Sequence, residues 1–147
     1  MTIQLAYAIL IYIKYIVTKV RGRKYALKPR IEGVLMQYEM KLQQEPFLAM
    51  QAKTKTVEIR LQDEKRKNLQ CGDEILFTNI ATGEKLFAIV ERIYKYANFE
   101  ELYAQHDKIS LGYKEEEQAN PEDMLAYYSV EEVEKYGVMG IKIKLVE

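Results

Sequence analysis

Three stretches of this chain alternate apolar and polar residues with a period of two, which commits each to a strand with two unlike faces. In residues 54–61, Val57, Ile59 and Leu61 alternate with Thr56, Glu58 and Arg60. In residues 85–93, Leu86, Ala88 and Val90 share one side and Phe87, Ile89 and Glu91 the other. In residues 137–146, Ile141, Ile143 and Leu145 point inward while Lys142 and Lys144 point outward. Shorter strands are expected at 38–42, with Met40 and Leu42 on one face, and at 75–78. Ala81-Thr82-Gly83-Glu84 reads as a hairpin connection.

Helical signals fall between these strands without regular alternation. Glu45-Pro46 opens a helix that buries Phe47 and Met50, since proline suits a first turn. Asn98 caps a second helix that carries Phe99, Leu102 and Tyr103. Asn120-Pro121 starts another, and Ser129 with Glu132 forms a capping box for a fourth. The expected fold class is α+β: a small, partly closed β-barrel of about five to six mostly antiparallel strands with inserted helices.

Residues 3–17 break with this pattern, being almost wholly apolar, and the basic stretch 18–30 follows them. Residues 1–40 carry seven basic and two acidic groups, a net +5, and the remainder of the 147 carries −5. Lys14 interrupts the apolar run short of the roughly 20 residues that a membrane span needs. No basic residue precedes the run, and no small-residue cleavage site follows it, so it is a poor signal peptide. Two readings stand. Either 1–35 is an extra segment set by an upstream start, with Met36 or Met40 opening the domain, or it is a genuine anchor or packing helix. The expectation is a domain over 36–147, dispensable residues 1–35, a cytoplasmic location and no membrane attachment unless 3–17 is an anchor.

The whole chain is neutral, with 22 basic and 22 acidic residues, which excludes a strongly basic nucleic-acid binder. The single cysteine, Cys71, excludes an internal disulfide, and the single histidine, His106, excludes a site of two imidazoles. No metal or cofactor is expected. Local charge is uneven: residues 53–67 hold six basic and three acidic groups, whereas 100–136 hold eleven acidic and three basic. Polyanion contact is therefore confined to the first region, where Lys65 and Arg66 lie. Glu58 and Arg60, two apart on one strand, are same-face neighbours about 7 Å apart. They can form a plain ion pair on a solvated face. Alternatively, Arg60 can grip a phosphate, Lys55 can meet one at the strand mouth, and Glu58 can accept from a base amino group. Among the tyrosines, Tyr113 beside Gly112 in a loop is the candidate to stack a base. His106 reads as a surface residue at a helix end.

Lys55-Thr56-Val57-Glu58-Ile59-Arg60 resembles the signature of the ASCH (activating signal cointegrator homology) family in the PUA-like superfamily, Gly-x-Lys-x-x-Glu-x-Arg. Lys53 stands at the glycine position. Cys71-Gly72-Asp73, running into Ile75-Leu76-Phe77, is similar to that family's Gly-Asp turn and following strand, and the closing strand from Tyr136 is similar too. The resemblance covers about 37–147. It implies a PUA-like barrel whose cleft binds RNA or a modified nucleoside around Lys55, Glu58 and Arg60. One branch of the family removes acyl groups from N-acylated cytidine with a lysine, a threonine three residues on, and a later glutamate. Lys55 matches that lysine, and Glu58 stands at the threonine position. Catalytic candidates under that reading are Lys55, Thr56 and Glu58, with Glu115, Glu116, Glu117 or Glu122 as the late carboxylate. A module that binds proteins, with Glu58 and Arg60 as a structural pair, is the third reading.

Overall fold

The structure, a computed structural model, describes residues 35–147. The apolar run at 3–17 and the basic stretch after it lie outside the described residues. Five strands form one sheet in the order β1-β3-β4-β5-β2: β1 (Gln37–Leu42), β2 (Val57–Leu61), β3 (Glu74–Asn79), β4 (Lys85–Tyr96) and β5 (Val138–Leu145). The β1–β3 pair is parallel and the other three pairs are antiparallel. The sheet curls so far that Arg60 on one end strand donates to the Lys41 carbonyl on the other, at 2.7 Å. The result is a half-barrel. Among the described residues no helix is long and apolar enough to cross a membrane.

The concave face holds Met40, Leu42, Ile75, Phe77, Ala88, Val90, Met139, Ile141 and Ile143. Helix α1 (Gln44–Gln51) adds Phe47 and Met50 to this core, as its sequence indicates. The convex face of β2 and the start of β5 present Val57, Ile59, Leu61 and Val138. These pack under α2 (Phe99–Gln105), α3 (Lys108–Leu111) and α4 (Val130–Tyr136) through Phe99, Leu102, Leu111 and Val133. The expected caps form: Asn98 accepts from the Glu101 N–H at 2.9 Å, and Ser129 and Glu132 complete their capping box. The Asn120-Pro121 start leads into a 3-10 helix (Pro121–Ala126), which ends before Tyr127 and Tyr128. Gly72 and Asp73 act as a clasp. The Asp73 carboxylate is wholly buried and accepts from the N–H groups of Met36 and Gln70, tying the turn to the start of β1.

Two expectations change. Strand β4 does not stop at residue 93; a bulge at Glu91 shifts its register on β5, and pairing resumes from Arg92 to Tyr96. The extension places His106 against the rings of Tyr94 and Tyr96, with its Nε2 2.8 Å from the Tyr96 hydroxyl. His106 is thus half-buried, and burial holds its pKa below the ordinary value despite Asp107 beside it.

Candidate functional site

Strand β2 is covered on both sides, and this creates the site. Its register sets Glu58 opposite Ile141 and Arg60 opposite Met139, two residues of the concave core. The face that carries Glu58 and Arg60 therefore looks into the half-barrel rather than into solvent. The expectation of a solvated polar face is corrected here: helices occupy the convex side of β2, so its charged side must turn inward. Lys55 is 4% exposed and Glu58 5%.

Every donor of the Lys55 ammonium is accounted for. Nζ donates to the carbonyls of Val57 and Leu111, both at 2.9 Å, and lies 3.4 Å from Glu58 Oε2. Arg60 Nε donates to Glu58 Oε1 at 2.9 Å while its terminal nitrogen reaches Lys41. The Tyr128 phenol adjoins the guanidinium and stacks on Phe99 at 5.9 Å. Burial alone would raise the Glu58 pKa, but the Lys55 and Arg60 charges outweigh it and hold the carboxyl below its ordinary range. Burial opposes the Arg60 charge as well, and Glu58 restores it. The site is one carboxylate held ionised between two cations. Its Oε2 is buried without a hydrogen bond among the described residues.

The structure brings some of the expected site residues together and separates the others. Lys55, Glu58 and Arg60 come together. Arg66, on the turn after β2, pairs with Asp63 at 2.6 Å and shares the surroundings of Tyr128 with Arg60. Lys65 is exposed on that turn. Thr56 lines a different cleft, at the end of β5, and Glu115, Glu116, Glu117 and Glu122 are all exposed along 115–122. Tyr113 is half-buried and donates its hydroxyl to Asp123 at 2.8 Å, with the Tyr103 hydroxyl 2.9 Å away. It lines a further cleft of ≈ 630 Å³ between α1 and the 109–117 segment.

Three contributors have no signal in the local pattern. The Lys41 carbonyl meets Arg60 through the curl of the sheet, and Tyr128 meets it through the docking of the helical segment 121–136. Gly112 adopts φ +107, and a Cβ there would lie 3.0 Å from Lys55 Cδ. Gly112→Ala combines left-handed strain with pressure on the buried lysine. A loss of about 1–3 kcal/mol is expected in urea unfolding. A change within about 0.5 kcal/mol, the usual range for surface substitutions, would show that the loop yields freely.

Lys53, at the position where the signature has glycine, also has positive φ, +64. The backbone explains the glycine: the chain must turn left-handed there to leave α1 and enter β2, and glycine does so without strain.

The family model described as ASCH domain matches residues 40–147. Among solved structures, the hypothetical protein PH0355 is 30% identical with TM-score 0.65, covering 76% of this chain and 100% of its own. Protein PF0455 from Pyrococcus furiosus is 31% identical with TM-score 0.61, covering 76% and 99%. A mutant of ZmASCH from Zymomonas mobilis, 15% identical with TM-score 0.52 over 72% of this chain and 66% of its own, shares the fold. No curated protein matches the chain.

Proposed function

This chain belongs to the ASCH domain family, and on that premise we propose that it binds an RNA element or nucleotide at the gap between β1 and β2, over Lys55, Glu58 and Arg60. The observation that carries the reading is the Glu58 carboxylate, ionised, buried and with Oε2 lacking a hydrogen bond. Oε2 meets the Lys55 ammonium at 3.4 Å and keeps acceptor capacity beyond that ion pair, which a ligand donor can fill. The exocyclic amino group of a nucleobase is such a donor, and carboxylates accept from cytosine in this way.

Lys55 has a supporting role in this reading. Its amine is committed to two carbonyls, so it keeps Glu58 charged rather than meeting phosphate. Arg60 spans the gap and gates it. Phosphate contact falls to Arg66, with Lys65 beside it on the same turn. The acyl-cytidine reaction gains no support, because the residue at the hydroxyl position is Glu58 rather than a threonine.

Calorimetric titration with the four ribonucleoside monophosphates tests this. Uridine monophosphate alone lacks an exocyclic amine. It should bind more weakly than cytidine monophosphate by about 1–3 kcal/mol, the usual discrimination of one good base contact. Arg66→Ala should weaken all four alike. Equal affinity for uridine and cytidine monophosphates, or no binding of any, defeats the reading.

A further inference from the structure

A second cleft, of ≈ 440 Å³, opens beside the end of β5, away from the gap that Arg60 spans. Lys53, Thr56, Lys142 and Lys144 line it, with Met50, Glu91 and Glu147. Lys142 and Lys144 are both exposed and stand two apart on β5, about 7 Å along the strand. Arg92 sits opposite Lys142 across the β4–β5 pair, with its guanidinium 5.1 Å above the Tyr94 ring. Four cations, Lys53, Arg92, Lys142 and Lys144, thus gather about the second half of β5.

Their neutralisation is incomplete. Lys142 lies 3.9 Å from Glu91, a loose pair between exposed groups. Among the described residues Lys144 has no acidic partner. Lys53 pairs with the side chain of Glu147, so this cleft holds two carboxylates, Glu91 and Glu147, against the cations of Lys53, Lys55, Lys142 and Lys144. Lys53 takes up its position in a left-handed conformation that glycine would adopt without strain.

We propose that this cleft is a phosphate-tracking site for a single RNA strand, with Glu147 as the internal anion that the strand displaces. The proposal rests on the nucleotide reading above. Lys142 and Lys144 stand on the outer face of β5, opposite the inner face that carries Glu58, and Lys55 lines this cleft while holding Glu58, so the phosphate track adjoins the nucleotide site through that one side chain. Cations at a strand's two-residue spacing match a repeating phosphate chain better than a single small anion. The Arg92–Tyr94 stack beside them offers an aromatic and cationic platform of the kind that unpaired bases use.

The test uses the full chain, a fluorescent octacytidylate, a glutamate octapeptide and cytidine monophosphate. Lys142→Gln with Lys144→Gln removes two exposed charges, so melting should be unchanged. Octacytidylate affinity should fall about tenfold at low salt, and the slope of log K against log salt should flatten by about 1.4, at about 0.7 per phosphate released. Cytidine monophosphate affinity should stay as it was. Glu147→Gln should tighten octacytidylate binding about threefold by removing the competing carboxylate, in keeping with the modest strength of exposed pairs. An unchanged affinity and salt slope in the double variant overturns the proposal. So does a weaker complex with Glu147→Gln, or a glutamate octapeptide that binds the wild type as tightly as the RNA. If monophosphates bind without base discrimination while octacytidylate still depends on Lys142 and Lys144, the Glu58 reading fails and the phosphate track stands.

Discussion

Glu58→Gln should lower the unfolding free energy by about 3–5 kcal/mol, because it breaks a buried charge cluster from one side. Lys55 and Arg60 would keep their charges inside the half-barrel with no anion between them. The Lys55 amine cannot swing into water without abandoning the Val57 and Leu111 carbonyls. Urea unfolding at neutral pH measures the loss. A cost under about 1 kcal/mol, the range of exposed ion pairs, would mean that water reaches the cluster.

The same substitution has a pH signature. The folded Glu58 pKa lies below its ordinary value of 4.5, so the unfolded chain binds the proton more readily. The stabilisation from Glu58 is therefore complete above about pH 4.5 and is lost as pH falls through the lower folded value. The acid limb of the stability profile should be shallower in Glu58→Gln than in the wild type. Parallel limbs would mean that Glu58 does not titrate with folding.

Phe77→Ala should cost about 3–5 kcal/mol, whereas Phe87→Ala should cost under about 0.5. Phe77 on β3 is 0% exposed at the centre of the concave core, and Phe87 on β4 is 43% exposed on the convex face. Removing the Phe77 ring leaves a cavity whose walls are strands and cannot collapse freely. Removing the Phe87 ring opens no enclosed cavity, because solvent already reaches that side chain. Parallel chemical denaturation of the two variants decides the matter. Comparable losses would mean that the convex face of β4 is covered in solution.

The contrast shows how far alternation reaches. On β4, Leu86, Ala88 and Val90 share a side in the sequence and share the inner side in the structure, because one face of that strand meets the core and the other is open. The closing strand behaves likewise, with Ile141 and Ile143 inside and Lys142 and Lys144 outside. The caps at Asn98 and Ser129 were equally legible, since a cap is a contract among residues three apart. The α+β class and the ASCH resemblance followed from the same local patterns, with Lys55, Glu58 and Arg60 marked by their spacing.

Strand β2 is where local reasoning stopped. Its pattern separates Val57, Ile59 and Leu61 from Glu58 and Arg60, but a period of two cannot say how many layers cover a strand. Solvent was the simplest assignment for the charged side. The inserted helices lie on the apolar side, and the sheet curls over the charged side, so both sides are buried and the charges must satisfy one another. The contacts that accomplish this span long stretches of chain: Lys55 to Leu111, Arg60 to Lys41, and Tyr128 to Arg60. The amino-acid sequence by itself determined the strands, their faces and the helix ends, because those depend on residues within a turn or two of one another. Only the tertiary structure decided that Glu58 is buried between two cations and that Lys55 is spent on carbonyls, because the curl of the sheet and the docking of 108–112 bring distant backbone groups to charges that no local pattern can pair.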